Sequence, residues 1–233
     1  MLPHLRELLF RIARGRLASL FIGAAFEHAS TLMPLDRVYD DRFTVIFHHP
    51  RPSWGTHLLA VPKRRIPSFA GLRLQDPGIA LVVLSLFEGL QRVLVARSLQ
   101  DASVMVNGGV YQDVPQIHFH ISRDAAEGKQ PPACAAGHPP PSLIADYQDA
   151  VAFFHPDPTR DVHVVLTTRA DIPPLPTWDP HQSVQRQGLV NMMILAQQVV
   201  AALALDRYTL VVNDGPCIGS GRLTFQIVYG SPR

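Results

Sequence analysis

Apolar residues recur at a helical spacing in two separate parts of the chain. Within each stripe the intervals are 4, 3 and 4 residues, which places the members on one face of a helix. The second stripe lies 106 residues after the first. The pattern therefore predicts two helices, each with one face against a core. The stripes are Val83, Phe87, Leu90 and Leu94, and Leu189, Met193, Ala196 and Val200.

Short segments on either side of the first helix have the character of strands. Phe43, Val45 and Phe47 recur at every second position, as on one face of a half-buried strand, and residues 57–61 form an apolar run after a proline-containing turn. Residues 103–106 and 117–121 flank a loop that contains glycine. The expected unit is β-β-α-β-β, an α+β arrangement with one helix over a mainly antiparallel sheet.

The two halves of the chain also match each other position by position. FHHPRPSWGTH at residues 47–57 aligns with FFHPDPTRDVH at residues 153–163, and identical His, Pro and Asn residues recur at the one offset. We interpret this as a tandem duplication. The prediction is two such units joined into one extended sheet as an intrachain pseudo-dimer. The expected divisions are an N-terminal helical extension (1–37), the first unit (38–124), a Pro-rich linker (125–146) and the second unit (147–233).

Composition narrows the class of protein. The 233 residues are 47% hydrophobic, which is enough for a core, and 21 basic against 19 acidic residues argue against nucleic-acid binding through bulk charge. Cys134 and Cys217 stand far apart, which excludes a disulfide framework and a cysteine-based zinc site. The arginine-rich N-terminus has helical spacing and no clean cleavage site, and no apolar run reaches about 18 residues. We expect a cytoplasmic protein that binds no membrane.

The chemical signal is a pair of histidines two residues apart. Strand periodicity places His118, His120 and Gln116 on one face. The pair could bind a metal, act as nucleophile and partner, or decorate a solvated strand. A metal needs at least a third ligand, which His49 or His57 could supply only by folding.

A loop just ahead of this pair favours a functional reading. Asn107 is followed by Gly108 and Gly109. Glycines at such a position let backbone N–H groups approach an anionic ligand closely.

The segment QIHFHI resembles the signature of the histidine triad (HIT) family, His-φ-His-φ-His-φ-φ with φ apolar. Residues 38–66 resemble the opening strands of that family, and VMVNGG resembles its Val-Asn-Glu-Gly loop. The resemblance extends over residues 38–121, a whole unit. It implies the β-β-α-β-β fold and nucleotidyl-transfer chemistry.

The resemblance also implies roles for individual residues. His118 matches the nucleophile that takes a nucleotidyl group, and His120 matches the histidine that contacts phosphate and assists the leaving group. Gln112 resembles the loop glutamine that contacts phosphate, and Asn107 matches the loop asparagine. His57 matches the buried histidine of the second strand.

Three features depart from the family pattern, and one of them is a shorter loop between Asn107 and the histidine motif. Gln116 replaces the first histidine of the triad, and its amide can form hydrogen bonds but cannot shuttle a proton. His49 replaces the aspartate that holds the ribose hydroxyls, so the resemblance does not assign a nucleoside preference.

In the second unit the triad positions are Arg222, Thr224 and Gln226. With no nucleophile there, we expect that unit to be catalytically silent. A tandem chain in which only one half carries the nucleophile resembles the layout of galactose-1-phosphate uridylyltransferase and of the diadenosine tetraphosphate phosphorylases. The His-Pro-His-Gly-Gln segment of the former is absent, so its substrate is not assigned.

The first hypothesis is a nucleotidyl hydrolase or transferase that cleaves a phosphoanhydride or phosphoramidate through a nucleotidyl-His118 intermediate. The alternative is a non-catalytic protein that binds a nucleotide or phosphate ligand, and a metal-binding or purely structural protein is the third. We expect a monomer with no cofactor or metal, whose partner is a small nucleotide. The predicted catalytic residues are His118, His120 and Gln116, and the predicted substrate-binding residues are Asn107, Gln112, Gly108, Gly109, His49 and His57.

Overall fold

The structure is a computed structural model that describes residues 35–123, 143–156, 158, 160–214 and 221–232. The predicted N-terminal extension falls almost entirely outside these ranges, as does most of the predicted linker. The first half runs from β1 to β5 and the second half from β6 to β10. The elements are β1 (Arg37–Asp40), β2 (Thr44–His48), β3 (Thr56–Pro62), α1 (Pro77–Ala96), β4 (Ser103–Gly109), β5 (Phe119–Arg123), β6 (Leu143–Tyr147), β7 (Ala150–Phe154), β8 (Arg160–Thr168), a 3₁₀ turn (Leu175–Thr177), α2 (Ser183–Ala202), β9 (Arg207–Asp214) and β10 (Thr224–Pro232).

All ten strands of the described chain belong to one antiparallel sheet. Their order is β1-β2-β3-β5-β4-β9-β10-β8-β7-β6, so each half contributes five adjacent strands. The halves meet where β4 pairs with β9. The predicted α+β class with one extended sheet is confirmed.

Each half contains one strand more than predicted, because β1 and β6 lie at the two outer edges of the sheet. The order within a half is therefore β-β-β-α-β-β. The short edge strand β1 is only partly buried and carries Arg37 and Asp40, so it lacks the alternation that marks a half-buried strand. β6 begins at Leu143, inside the segment predicted as linker.

Strand β5 is shorter than predicted, since it begins at Phe119 rather than at Ile117. The backbone N–H of Ile117 donates to the carbonyl of Ile66, in the loop after β3, at 2.7 Å. That loop contact takes the place of a ladder hydrogen bond.

The two predicted helical stripes are confirmed as core. Every member is at most 6% exposed, and both helices lie against the sheet. α1 begins where it does because the Asp76 side chain accepts a hydrogen bond from the Gly78 N–H at 2.8 Å, with Pro77 in the first helical position.

Reciprocal contacts join the two halves. In α1 the Gln91 Nε2 donates to the carbonyl of Pro176 at 3.3 Å, and in α2 the Gln197 Nε2 donates to the carbonyls of Phe69 and Leu72 at 2.8 and 2.9 Å. Equivalent residues of the halves thus make equivalent contacts, as in a two-fold symmetric dimer. The duplication itself stays a prediction from the sequence.

Within the described residues, helix α1 is long and apolar enough to cross a membrane, with a mean hydropathy of 1.9. This criterion rests on length and composition, and a core helix of a soluble protein meets it as well. Since one face of α1 packs on the sheet, the observation is weak evidence for a span.

Candidate active site

A cluster of histidines lies on the sheet face that carries no helix. Phe119 and Ile121 of β5 are fully buried in the helix-side core. Because successive side chains of a strand point to opposite faces, His118 and His120 project from the other face. His57 joins them from the neighbouring strand β3.

The position of the hydrogen on His118 is set by a backbone carbonyl. The Nδ1 atom of His118 lies 2.8 Å from the carbonyl oxygen of Gln116. A carbonyl can only accept, so Nδ1 carries the hydrogen and Nε2 keeps a lone pair. Burial lowers the pKa of His118, which keeps the ring neutral near pH 7. The side chain is therefore a neutral imidazole with an oriented nucleophilic nitrogen.

A chain of hydrogen bonds sets the tautomer of His120. The Ser53 N–H donates to Nδ1 of His57 at 3.2 Å, so His57 carries its hydrogen on Nε2. That Nε2 lies 2.9 Å from Nδ1 of His120. His120 accepts there and carries its own hydrogen on Nε2. Burial, together with the nearby His118, lowers the pKa of His120 to about 2. His120 is thus a neutral hydrogen-bond donor.

His49 lies flat against His57, with ring centroids 4.0 Å apart and an interplanar angle of 5°. The Arg51 N–H donates to Nδ1 of His49 at 3.0 Å, which leaves the hydrogen of the neutral ring on Nε2. Burial lowers the pKa of His49. Trp54 contacts the His57 ring edge-on at 4.4 Å.

These histidines are also the one group in the described ranges whose ligand atoms could surround a metal ion. His49, His57 and His120 each place one ring nitrogen within 4.8 Å of the others. A metal ligand needs a lone pair. Nε2 of His57 has none, because Nδ1 already accepts from the Ser53 N–H. The observed hydrogen bonds therefore favour a hydrogen-bond relay, from Ser53 through His57 to His120, over a metal centre.

The side-chain amide of Gln116 forms its hydrogen bonds with the end of β3 and the loop that follows. It is 1% exposed, donates to the carbonyls of Pro62 and Arg64 at 3.0 Å each, and accepts from the Ile66 N–H at 3.2 Å. The amide thus anchors the loop after β3. The group of Gln116 that contacts His118 is its backbone carbonyl.

The predicted glycine loop packs against the second half. Gly108 lies against the ring of Tyr208, and Gly109, with φ of 59°, lies against the carbonyl of Asp206. A side chain at Gly108 would collide with β9, and one at Gly109 would collide with the residue directly before β9. Close strand packing accounts for both glycines, and the geometry assigns them no ligand.

Asn107 and Gln112 differ in how their amides are engaged. Asn107 Oδ1 accepts a hydrogen bond from Thr209 Oγ1 at 2.8 Å, across the seam between the halves. Gln112 Nε2 donates to the carbonyls of Pro67 and Val114 at 2.6 and 2.7 Å. These two hydrogen bonds stabilise the loop that contains Gln112 and tie it to the loop after β3.

The second half contains a similar arrangement without the nucleophile. The rings of His155 and His163 stack at 4.1 Å, and His163 Nε2 lies 2.8 Å from Oε1 of Gln226. The Thr224 hydroxyl donates to the carbonyl of Arg222 at 3.3 Å, as His118 Nδ1 does to Gln116.

Several residues that contact the site could not be predicted from the sequence. Ser53 and Arg51 act through backbone N–H groups, which have no side-chain signature. Thr209 is placed by strand pairing with Asn107 between the halves. The pairing of His155 with His163 had a signal in the sequence, because both residues recur at the 106-residue offset.

Comparisons with known proteins give similarities for the first half of the chain and for its fold. Residues 31–125 are similar to the HIT domain family. A search of curated proteins found no match.

Solved structures share the fold of the whole chain. An ADP-glucose phosphorylase from Arabidopsis thaliana, solved with bound ADP-glucose, is 10% identical with a TM-score of 0.55, over 90% of this chain and 80% of that one. A GalT-like protein from the same plant is 10% identical with a TM-score of 0.51, over 84% and 78%. A HIT family hydrolase from Legionella pneumophila is 23% identical with a TM-score of 0.38, over 45% of this chain and 91% of that one. At these identities the two plant proteins show only that the fold formed by both halves of this chain also occurs in them.

Proposed function

We propose that the protein transfers a nucleotidyl group through a covalent intermediate on Nε2 of His118. The observation that carries the proposal is the hydrogen bond between His118 Nδ1 and the Gln116 carbonyl. It holds the lone pair on Nε2, and burial keeps the ring neutral. A neutral, oriented imidazole is a competent nucleophile at phosphorus.

The reaction has two steps. In the first, Nε2 of His118 forms a bond to the α-phosphorus, and the bond to the leaving group breaks with its electron pair on the leaving oxygen. In the second, an anionic phosphate oxygen of the acceptor, or a water oxygen whose proton passes to solvent, forms the new bond to phosphorus, and the P–N bond breaks with its pair returning to Nε2. The Nε2–H of His120 donates a hydrogen bond to a phosphoryl or leaving oxygen in each step.

The hydrogen-bond relay favours a phosphoanhydride over a phosphoramidate. His120 holds a single hydrogen on Nε2, and protonation of its Nδ1 is blocked by the hydrogen that His57 donates. The ring can therefore stabilise a leaving phosphate anion but supplies no proton to a leaving amine. General acid catalysis contributes about 100-fold or more, so we expect a preference for the anhydride of at least that size.

A second candidate is a non-catalytic protein that binds a nucleotide or phosphate ligand. This candidate is favoured because the side-chain N–H groups of Gln112 and Gln116 already donate to backbone carbonyls of the protein. Two groups that the HIT resemblance assigns to substrate or nucleophile are thus engaged elsewhere.

A trapping experiment separates the two candidates. Dinucleoside polyphosphates, nucleotide sugars and nucleoside phosphoramidates, each labelled with ³²P at the α-phosphate, are incubated with the protein and quenched in base. We expect an acid-labile, base-stable label on the protein together with free mononucleotide. The anhydrides should be cleaved faster than the phosphoramidates.

Two variants serve as a matched pair for this experiment. His118→Ala should abolish both label and turnover, whereas Thr224→Ala, at the equivalent position of the second half, should leave both unchanged. Label that persists in His118→Ala would refute the mechanism. Ligand binding without label or product from any substrate would support the non-catalytic candidate.

A further inference from the structure

The second half lacks a nucleophile, yet it contacts the candidate site at one side chain. Thr209 of β9 stands directly opposite Asn107 of β4 in the strand register. The Thr209 hydroxyl donates to Oδ1 of Asn107 at 2.8 Å.

Asn107 lies beside the predicted nucleophile on the open face of the sheet. In the pairing of β4 with β5, Met105 stands opposite His120. The ladder ends at that pair, and His118 directly precedes β5. The same antiparallel register, continued by two residues past the end of the ladder, would put Asn107 next to His118. Both lie on the face without helices, because the alternate residues Val104 and Val106 are buried in the helix-side core.

Strand order then determines which end of the Asn107 amide faces which neighbour. β4 lies between β9 and β5. With Oδ1 turned toward Thr209 on β9, the Nδ2 group is turned toward β5 and His118. Among the residues that the structure describes, Nδ2 of Asn107 has no hydrogen-bond partner. Two N–H donors are thus directed toward the place where a phosphoryl group would meet His118.

We infer that Thr209 is a positioning residue for the site in the first half. It fixes the Asn107 amide so that Nδ2 donates to an oxygen of an anionic ligand at His118. Backbone contacts reinforce the same seam, since the Val110 N–H donates to the carbonyl of Asp206 at 2.9 Å. The second half therefore completes the site without chemistry of its own.

The inference rests on the proposed function only in placing an anion at His118, so binding tests it without turnover. AMP and inorganic phosphate are titrated into the full chain by calorimetry. Thr209→Val removes the hydroxyl at nearly constant volume, and we expect about tenfold weaker binding of whichever probe binds. Thr209→Ser restores the hydroxyl and should bind within about twofold of wild type.

A matched control separates positioning from general loss of a hydroxyl. Thr167 of β8 donates to the carbonyl of Leu223 at 3.2 Å, within the second half. Thr167→Val should leave binding unchanged. Asn107→Asp keeps an acceptor for Thr209 but replaces the donors with a negative oxygen, so it should abolish binding of either probe.

Three outcomes would overturn the inference. These are unchanged binding in a folded Thr209→Val, failure of Thr209→Ser to recover affinity, and a wild-type protein that binds neither probe. The proposed function fails separately if the wild type binds AMP or phosphate and Thr209→Val weakens that binding, yet no labelled His118 forms.

Discussion

The two halves of the sheet hold the same histidine pair in the same way and differ at the positions where chemistry would occur. His49 and His57 stack at 4.0 Å, and His155 and His163 stack at 4.1 Å. In each half the Nε2 of the inner histidine, His57 or His163, forms a hydrogen bond to a residue 63 positions later. That partner is His120 in the first half and Gln226 in the second.

This difference separates the residues that stabilise the fold from those that would carry out the reaction. Because the stacked pair is present where no nucleophile exists, its stacking and hydrogen bond are part of the fold. What distinguishes the first half is an imidazole instead of a hydroxyl at position 118, and an imidazole instead of an amide at position 120. The predictions below exchange or delete these features one at a time.

The largest effect is expected from giving the first half the residue of the second. His118→Thr removes the nucleophile, and turnover of a nucleotide anhydride should fall by at least about 1,000-fold. The free energy of unfolding should change little, because Thr224 already makes the equivalent hydrogen bond to a backbone carbonyl. Steady-state kinetics and urea unfolding measure the two quantities. Substantial residual activity would show that His118 is not the nucleophile.

Deleting the inner histidine in each half should separate stability from activity. His57→Ala and His163→Ala each remove a buried hydrogen bond and a stacked ring, so each should lower the free energy of unfolding by about 2–3 kcal/mol. Activity should fall only in His57→Ala, because His120 then loses the donor that sets its tautomer. An equal loss of activity in His163→Ala would show that the second half takes part in catalysis.

The dependence of stability on pH should differ between the wild type and His120→Gln, which carries the residue of the second half. The pKa of His120 is lowered from 6.5 to about 2, so the unfolded chain binds more protons than the folded one between these values. The contribution of His120 to the free energy of unfolding is therefore fully present above pH 6.5. It is lost as the pH falls, by up to about 1.4 kcal/mol per pH unit.

In His120→Gln the free energy of unfolding should fall less steeply with decreasing pH than in the wild type, by up to about 1.4 kcal/mol per pH unit. Urea unfolding between pH 7 and pH 4.5 measures the difference. The lowered pKa of His118 also predicts that the acidic limb of the kcat/KM profile lies below pH 6.5. Parallel stability curves for the two proteins would contradict the assignment of the titration to His120.

The smallest effect concerns the sugar of the nucleotide. Neutral His49 presents an N–H where the resemblance places a carboxylate that accepts from both ribose hydroxyls. A 2′-deoxynucleotide substrate should therefore be used within about threefold of the ribonucleotide, since no paired acceptor is lost. Competition between the two substrates measures the ratio. A preference for the ribonucleotide of 100-fold or more would point to an unrecognised acceptor at the site.

Much of the fold was predictable because local periodicity reports burial directly. The stripes of α1 and α2 and the alternation around His118 and His120 need only the geometry of one element. The edge strands β1 and β6 were missed because partial burial leaves no such alternation. The need for glycine at positions 108 and 109 could not be predicted, because it comes from Tyr208 and Asp206 of the second half, which leave no room for a Cβ. The contact of these two glycines with a ligand stays a prediction.

The sequence by itself determined that there are two similar halves, and that one of them carries two histidines on one face of a strand. Only the tertiary structure decided which nitrogen of each ring holds the hydrogen, that Gln116 acts through its carbonyl, and that Thr209 reaches Asn107. The physical reason is distance along the chain. The tautomer of His120 depends on a contact across 63 residues, and the orientation of Asn107 on one across 102.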